Sequence, residues 1–165
     1  MRTKPVLSII WHSRTGAAQS IALAMQHAAS AFDVDVRCIA ADQANAKNLL
    51  ESYGVIFCAP ENLGSLSGLM KDFFDRSYYP ALDRCNGKPY AQVIAAGSDG
   101  MGAVRQLARI ATGLRLRVIA EPLIVLVNAQ SPHAILAAKQ LSAEQLAPAI
   151  ALAAGFAAGL EAGIY

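Results

Sequence analysis

The sequence has few charged residues and no long run of one sign. Asp, Glu, Lys and Arg together make up only 16% of the chain, and the formal net charge is +2. A nucleic-acid-binding face needs clustered Lys and Arg, because contacts with phosphates supply most of the affinity. Such clusters are absent, and aromatic residues do not alternate with basic ones. We therefore expect no nucleic-acid partner.

Cysteine is also scarce: the chain has only Cys38, Cys58 and Cys85, and no two of them form a CxxC pair. This odd number argues against a disulfide framework, and the spacing excludes a zinc site of the usual kind. Cys38 and Cys58 lie within apolar runs, which predicts buried, unreactive thiols. We expect no metal site, and the cysteine usage fits a reducing cytoplasm.

Long hydrophobic runs are absent as well. The apolar run Val6–Trp11 is too short for the core of a secretory signal and is followed by no cleavage site. The uncharged stretch Gln145–Leu160 is shorter than a membrane span and contains Pro148. We expect this stretch to form a buried helix, and we expect a cytoplasmic protein with no membrane partner.

The residues that are present indicate a folded domain. Hydrophobic residues make up 55% of the chain, which argues against disorder. A length of 165 residues suits one domain, residues 1–165, with a core that needs no disulfide or metal. We find no linker, repeat or low-complexity segment in it.

Short β-rich runs alternate with longer helical patterns along the chain. The pattern predicts strands at residues 5–11, 34–39, 54–59, 89–96 and 116–127, the last broken at Glu121-Pro122. It predicts helices at residues 16–31, 43–50, 66–79, 103–112 and 142–160. Such alternation requires right-handed crossovers and a parallel sheet. The predicted fold is a three-layer α/β domain with a doubly wound five-stranded parallel sheet in the flavodoxin-like order 2-1-3-4-5.

The loop after the first strand has features of an anion site. It reads Ser13-Arg14-Thr15-Gly16-Ala17-Ala18 and leads into the first helix. Amide groups at the start of a helix attract anions, and Gly16 lets a ligand approach the backbone closely. No Lys follows the glycine, so this is not a Walker A loop. From its residues alone, the loop fits phosphate binding and an ordinary strand–helix turn about equally.

Two further loops are predicted to leave the same edge of the sheet. The third strand leads into Pro60-Glu61-Asn62-Leu63-Gly64, whose rigid, amide and apolar groups could hold a flat ring. The fourth strand leads into Gly97-Ser98-Asp99-Gly100-Met101-Gly102, whose glycines could bring amide groups against a ligand. Either loop alone also fits an ordinary turn. Their shared edge is what favours a ligand site.

These loops resemble those of the flavodoxin-like family, including its NAD(P)H oxidoreductases. The run His12–Gly16 resembles the family's phosphate loop, and Pro60–Gly64 followed by Gly68–Arg76 resembles its second flavin loop and helix. The resemblance covers nearly the whole chain and implies FMN as cofactor and NAD(P)H as co-substrate. It implies no catalytic side chain. The cofactor-binding residues that it implies are Ser13, Arg14, Thr15, Gly16, Ala17, Ala18, Pro60, Glu61, Asn62, Leu63, Gly64, Gly97, Ser98, Asp99, Gly100 and Gly102.

The sequence departs from the family in two ways. Ala17 and Ala18 stand where the family commonly has Asn and Thr, so two polar contacts are absent. The second and third loops contain no aromatic residue, and the chain is slightly basic, unlike electron-carrying flavodoxins. The resemblance then favours an oxidoreductase that passes hydride from NAD(P)H through FMN to a quinone or similar small acceptor. The alternatives are a flavodoxin-type electron carrier and a domain that has lost flavin. The sequence leaves open whether the protein forms a homo-oligomer.

Overall fold

The computed structural model describes residues 3–165. The strands are β1 (Val6–Trp11), β2 (Asp35–Ala40), β3 (Gly54–Asn62), β4 (Ser65–Leu66), β5 (Pro89–Ala96), β6 (Arg117–Val118) and β7 (Leu123–Leu126). The helices are α1 (Ala17–Ala29), α2 (Ala46–Glu51), α3 (Gly68–Ala81), α4 (Met101–Gly113), α5 (Pro132–Leu136) and α6 (Ala143–Glu161).

The sheet has the predicted doubly wound topology. Its order is β2-β1-β3-β5-β6, and β7 also pairs with β5. Every pairing is parallel except the short hairpin of β3 with β4. The α/β fold is confirmed, although the strand count is higher than five. Strand β4 was not expected, and the last strand is split into β6 and β7 around Glu121-Pro122, where proline lacks a ladder amide.

The core lies on both faces of the sheet, because successive side chains of a strand point to opposite faces. On one face Ile10 and Phe57 pack among residues of α3 and α4. On the other face Leu7 and Ile9 pack among residues of α1 and α6. Strands β1, β3 and β5 are therefore covered on both sides, as their nearly continuous apolar sequences predict.

Helix α6 begins where the sequence indicates. The Ser142 side chain accepts a hydrogen bond from the amide of Gln145, and the Gln145 side-chain oxygen accepts one from the amide of Ser142, which forms a capping box. By length and hydropathy alone, α6 could cross a membrane, with 33% of the tested window buried. Ala149, Ala153 and Phe156 belong to the core beside α1. The expected buried helix is therefore buried along one face only, and the rest of α6 is exposed or partly exposed.

One helix was not predicted. Helix α5 lies in residues 128–141, which we call the covering segment, between β7 and α6. It begins with Pro132, and its N-cap residue Ser131 accepts a hydrogen bond from the Ala134 amide. With only five residues, α5 is too short to show the periodicity from which helices are read in a sequence.

Candidate functional site

The three predicted loops meet at the carboxyl edge of the sheet and enclose one cavity with the covering segment. Seven of the predicted site residues line this cavity: Arg14, Thr15, Ala17, Pro60, Glu61, Asn62 and Gly97. The other nine lie in the same loops without lining it: Ser13, Gly16, Ala18, Leu63, Gly64, Ser98, Asp99, Gly100 and Gly102. The fold therefore brings the predicted loops together, as the topology requires.

The first loop presents the start of α1 to the cavity. Gly16 is the N-cap residue, with a left-handed backbone at φ 99°, and its amide donates to Ser13 Oγ at 3.0 Å. The oxygen of Ser13 therefore helps to shape the loop itself. Ala17 and Ala18 are buried in the first helical turn, where backbone amides have no partner within the helix. These amides and the helix dipole favour an anion at this end of the cavity.

The second loop is a tight β-hairpin. Strands β3 and β4 pair antiparallel and are joined by Leu63 and Gly64, whose φ values are 52° and 72°. Two successive positive φ values are typical of a type I′ turn. The Leu63 side chain is fully exposed at the tip, next to Asn62 in the cavity wall. The hairpin thus holds a large apolar side chain in solvent at the rim of the site.

Glu61 joins the second loop to the third. Its carboxylate accepts hydrogen bonds from the amides of Gly100 and Ala103, each at 3.0 Å. The negative charge lies at the N-terminus of α4, where the helix dipole stabilises it. The Gly100 amide is therefore bonded to Glu61 in this structure. The two residues are 39 positions apart, so no local sequence pattern could reveal this contact.

The glycines of the third loop serve packing between loops. A side chain at Gly102 would overlap the carbonyl oxygen of Gly64, and a Cβ at Gly97 would lie 2.7 Å from the carbonyl oxygen of Ala129. Ser98 and Asp99 are exposed at the loop tip. The glycine content that suggested close approach of a ligand is thus required in part by neighbouring backbone.

His12 connects the first loop to the start of α3. Its Nδ1 lies 2.9 Å from Ser67 Oγ, within hydrogen-bond distance. Burial lowers the pKa of His12, and the nearby Arg14 adds to this effect, while Asp42 opposes it. His12 does not line the cavity. Its contacts indicate that it positions the phosphate-loop region relative to α3.

The cysteines are not reactive groups of the site. Burial raises the pKa of Cys58, and it raises the pKa of Cys38 to about 11. Thiols that stay protonated are poor nucleophiles and poor metal ligands. Within residues 3–165, no group of three or more His, Cys, Asp or Glu side chains is placed to hold a metal ion.

The covering segment supplies a wall of the site that the sequence did not reveal. Ile135, Leu136 and Lys139 line the cavity together with residues of the three loops. The Lys139 amide donates to the Thr15 carbonyl at 2.7 Å, which attaches the segment to the first loop. The Ser131-Pro132 pair could have indicated the start of α5. Nothing local in the sequence marks Lys139.

Comparisons with known proteins agree with this geometry. A family model described as NADPH-dependent FMN reductase matches residues 31–131, a range that includes the second and third loops. Comparison with curated proteins gives no match.

Solved structures share the fold at low sequence identity. An archaeal flavodoxin superposes with a TM-score of 0.78 at 17% identity, covering 94% of this chain and 99% of its own. A WrbA-like flavodoxin from Agrobacterium tumefaciens gives 0.75 at 17% identity, covering 95% and 98%. The flavodiiron core from Synechocystis gives 0.76 at 16% identity, covering 98% of this chain but only 37% of the longer one. These similarities concern the fold.

Proposed function

The chain belongs to the NADPH-dependent FMN reductase family, and on that premise we propose that it is an oxidoreductase that binds FMN. In this proposal, hydride passes from NAD(P)H through the flavin to a quinone or a similar small acceptor. The observation that carries the proposal is the cavity bounded by all three loops at the carboxyl edge of the sheet. This edge is where doubly wound sheets bind their ligands.

The residues around the cavity fit the two ends of FMN. The phosphate matches the start of α1, where Gly16 adopts the left-handed conformation and the first-turn amides of Ala17 and Ala18 lack helical partners. The ring matches the wall made by Pro60 and Asn62 of the second loop and by Gly97 of the third. FMN supplies the hydride chemistry when it is bound, and the protein supplies position and polarity.

The absence of aromatic residues favours an enzyme over an electron carrier. Residues 60–65 and 97–102 contain no Phe, Tyr or Trp, so neither loop can cover a flavin ring with an aromatic side chain. Hydride transfer requires the reacting atoms to approach within roughly 3–3.5 Å. A ring face that neither loop covers with an aromatic side chain would leave room for a nicotinamide at that distance. A flavodoxin-type carrier is the second candidate, since the chain shares the fold of proteins described as flavodoxins.

Direct reduction by nicotinamide nucleotides distinguishes these candidates. The FMN-loaded protein is mixed anaerobically with NADH or with NADPH in a stopped-flow instrument, and the flavin absorbance band is followed. We expect at least one nucleotide to bleach the flavin without a partner reductase, and a subsequently added quinone to restore the band. If neither nucleotide bleaches the flavin within minutes, while a reductase protein does, the carrier function replaces the proposed one.

Ligand preference tests the cofactor separately. Titration calorimetry on the apoprotein should show that FMN binds more tightly than riboflavin, because the start of α1 favours the phosphate. FAD should bind no more tightly than FMN, since the sequence contains no dinucleotide fingerprint. If no flavin binds, the proposal fails, and the domain that has lost flavin becomes the best description.

A further inference from the structure

The covering segment lies against two of the flavin loops, one near each of its ends. Near its start, the Ala129 carbonyl lies so close to Gly97 that a Cβ on Gly97 would be 2.7 Å from the oxygen. Near its end, the Lys139 amide donates to the Thr15 carbonyl at 2.7 Å. The segment therefore belongs to the architecture of the site, and its side chains are held at the cavity.

Lys139 lies beside the start of α1. A Cβ built on Gly16 would be 3.6 Å from the Lys139 carbonyl oxygen, which places the Lys139 backbone next to the N-cap residue. The Lys139 side chain is half-buried and lines the cavity together with Arg14. Its ammonium group donates to the Ile135 carbonyl at 3.0 Å and to the Ala137 carbonyl at 2.5 Å. Both acceptors are backbone carbonyls of the covering segment itself, and neither is a carboxylate.

The charges around the cavity are distributed unevenly. Among the residues that the structure describes, neither Lys139 nor Arg14 forms an ion pair with a carboxylate. The carboxylate in the cavity wall, Glu61, is held by the α4 amides of Gly100 and Ala103. The end formed by Lys139, Arg14 and the start of α1 therefore carries positive charge that lacks a protein counter-ion. An anion is the ligand that this end favours.

We propose that Lys139 binds the phosphate of FMN and replaces the polar contacts that are missing at Ala17 and Ala18. This inference rests on the proposed function and names a residue outside the flavin loops. A lysine ammonium forms charge-assisted hydrogen bonds with phosphate oxygens, which are stronger than those of a neutral hydroxyl. The covering segment would then confer selectivity for a phosphate monoester over the uncharged end of riboflavin.

The test compares FMN and riboflavin on variants that separate charge from structure. Lys139→Gln keeps a hydrogen-bond donor and removes the charge, and Lys139→Arg keeps the charge. Lys47→Gln in α2 is the matched control, because Lys47 is exposed and does not line the cavity. Dissociation constants of both ligands are measured by quenching of flavin fluorescence on the apoprotein. Near-ultraviolet circular dichroism verifies that each variant is folded.

We expect Lys139→Gln to weaken FMN binding at least tenfold and to change riboflavin binding less than twofold. Lys139→Arg should recover most of the FMN affinity, and Lys47→Gln should behave as the parent protein does. The inference is overturned if Lys139→Gln binds FMN normally, or if it loses both ligands equally, which would indicate a structural role. If the unmodified protein binds neither flavin, the proposed function itself is wrong, a result distinct from both others.

Discussion

At the scale of single residues, Leu63 has an unfavourable backbone conformation and an unfavourable exposure of its side chain. It has a positive φ of 52° and a fully exposed apolar side chain at the hairpin tip. A left-handed backbone costs a branched residue about 1–2 kcal/mol, and Asn tolerates it better. Strain of this kind is concentrated at ligand sites. We therefore expect Leu63 to contact a ligand.

The prediction is that Leu63→Asn stabilises the apoprotein by roughly 0.5–1 kcal/mol and weakens flavin binding. Urea unfolding and a flavin titration measure the two effects. Leu23→Asn is the control, because Leu23 is an exposed leucine in the regular helix α1, and its loss should slightly destabilise the protein. A Leu63→Asn protein that binds flavin normally would show that the exposed leucine has no role in binding.

Gly16 is a second residue at which the backbone conformation, and not a steric clash with neighbouring atoms, limits substitution. Its φ is 99°, while the nearest atom to a Cβ built there, outside its immediate chain neighbours, is at an ordinary 3.6 Å. Gly16→Val should therefore abolish flavin binding by changing the loop conformation, while the sheet remains folded. The matched control is Gly87→Val, since Gly87 also has a positive φ, of 76°, but lies between α3 and β5, outside the three loops. Flavin spectra measure binding, and far-ultraviolet circular dichroism measures whether the sheet is folded. Normal flavin retention in Gly16→Val would show that the phosphate binds elsewhere.

At the scale of elements, the hairpin and α4 are packed against one another as a unit. Glu61 binds the α4 amides, and the Leu66 amide donates to the Gln106 side chain of α4 at 2.7 Å. Gly102 lets the Gly64 carbonyl rest directly on the first turn of α4. The second and third loops are therefore fixed relative to each other, and a change in either loop should displace both.

Two Gly→Ala substitutions test this unit. In Gly102→Ala the new methyl group would overlap the Gly64 carbonyl, so we expect a loss of stability on the order of 2 kcal/mol or more, together with weaker flavin binding. Gly68→Ala, in the first turn of α3, meets no atom within 4 Å and should be neutral or stabilising by up to about 1 kcal/mol. Thermal unfolding of both variants measures the difference. Equal stabilities would show that the loops separate at little cost.

At the scale of the whole molecule, His12 links stability to pH. Burial lowers its pKa below 6.5 in the folded state, so the unfolded chain binds a proton more readily. This contribution to stability is present above the unfolded pKa and is lost as the pH falls from about 6.5 towards the folded pKa. The charge of Asp42 raises the pKa of His12 and so reduces this effect, whereas the charge of Arg14 lowers the pKa and increases it.

His12→Gln removes the titrating group and keeps a partner for Ser67. We expect the free energy of unfolding to fall less between pH 7.5 and pH 5.5 in this variant than in the parent protein. Urea unfolding at both pH values measures it, with the exposed His27→Gln as the control variant. An unchanged difference between the two pH values would assign the pH dependence to other groups.

The sequence by itself predicted the fold class and the edge of the sheet at which the three loops meet. Continuous apolar strands alternating with helical patterns admit few arrangements other than a doubly wound parallel sheet, whose loops meet at one edge. Glu121-Pro122 marked the break in the last strand, and Ser142 marked the start of α6. These features depend on neighbouring residues, so they can be read along the chain.

Only the tertiary structure decided which groups the loop amides bind, which backbone atoms pack against the glycines, and where the charges of the cavity lie. The Glu61 contact with α4, the close approach at Gly102 and the position of Lys139 beside Gly16 each join distant parts of the chain. Such contacts have no periodicity, because they arise when separately formed elements pack together. For the same reason, the loops were predicted from their sequences, whereas the covering segment and the charge distribution of the cavity became visible only in the folded protein.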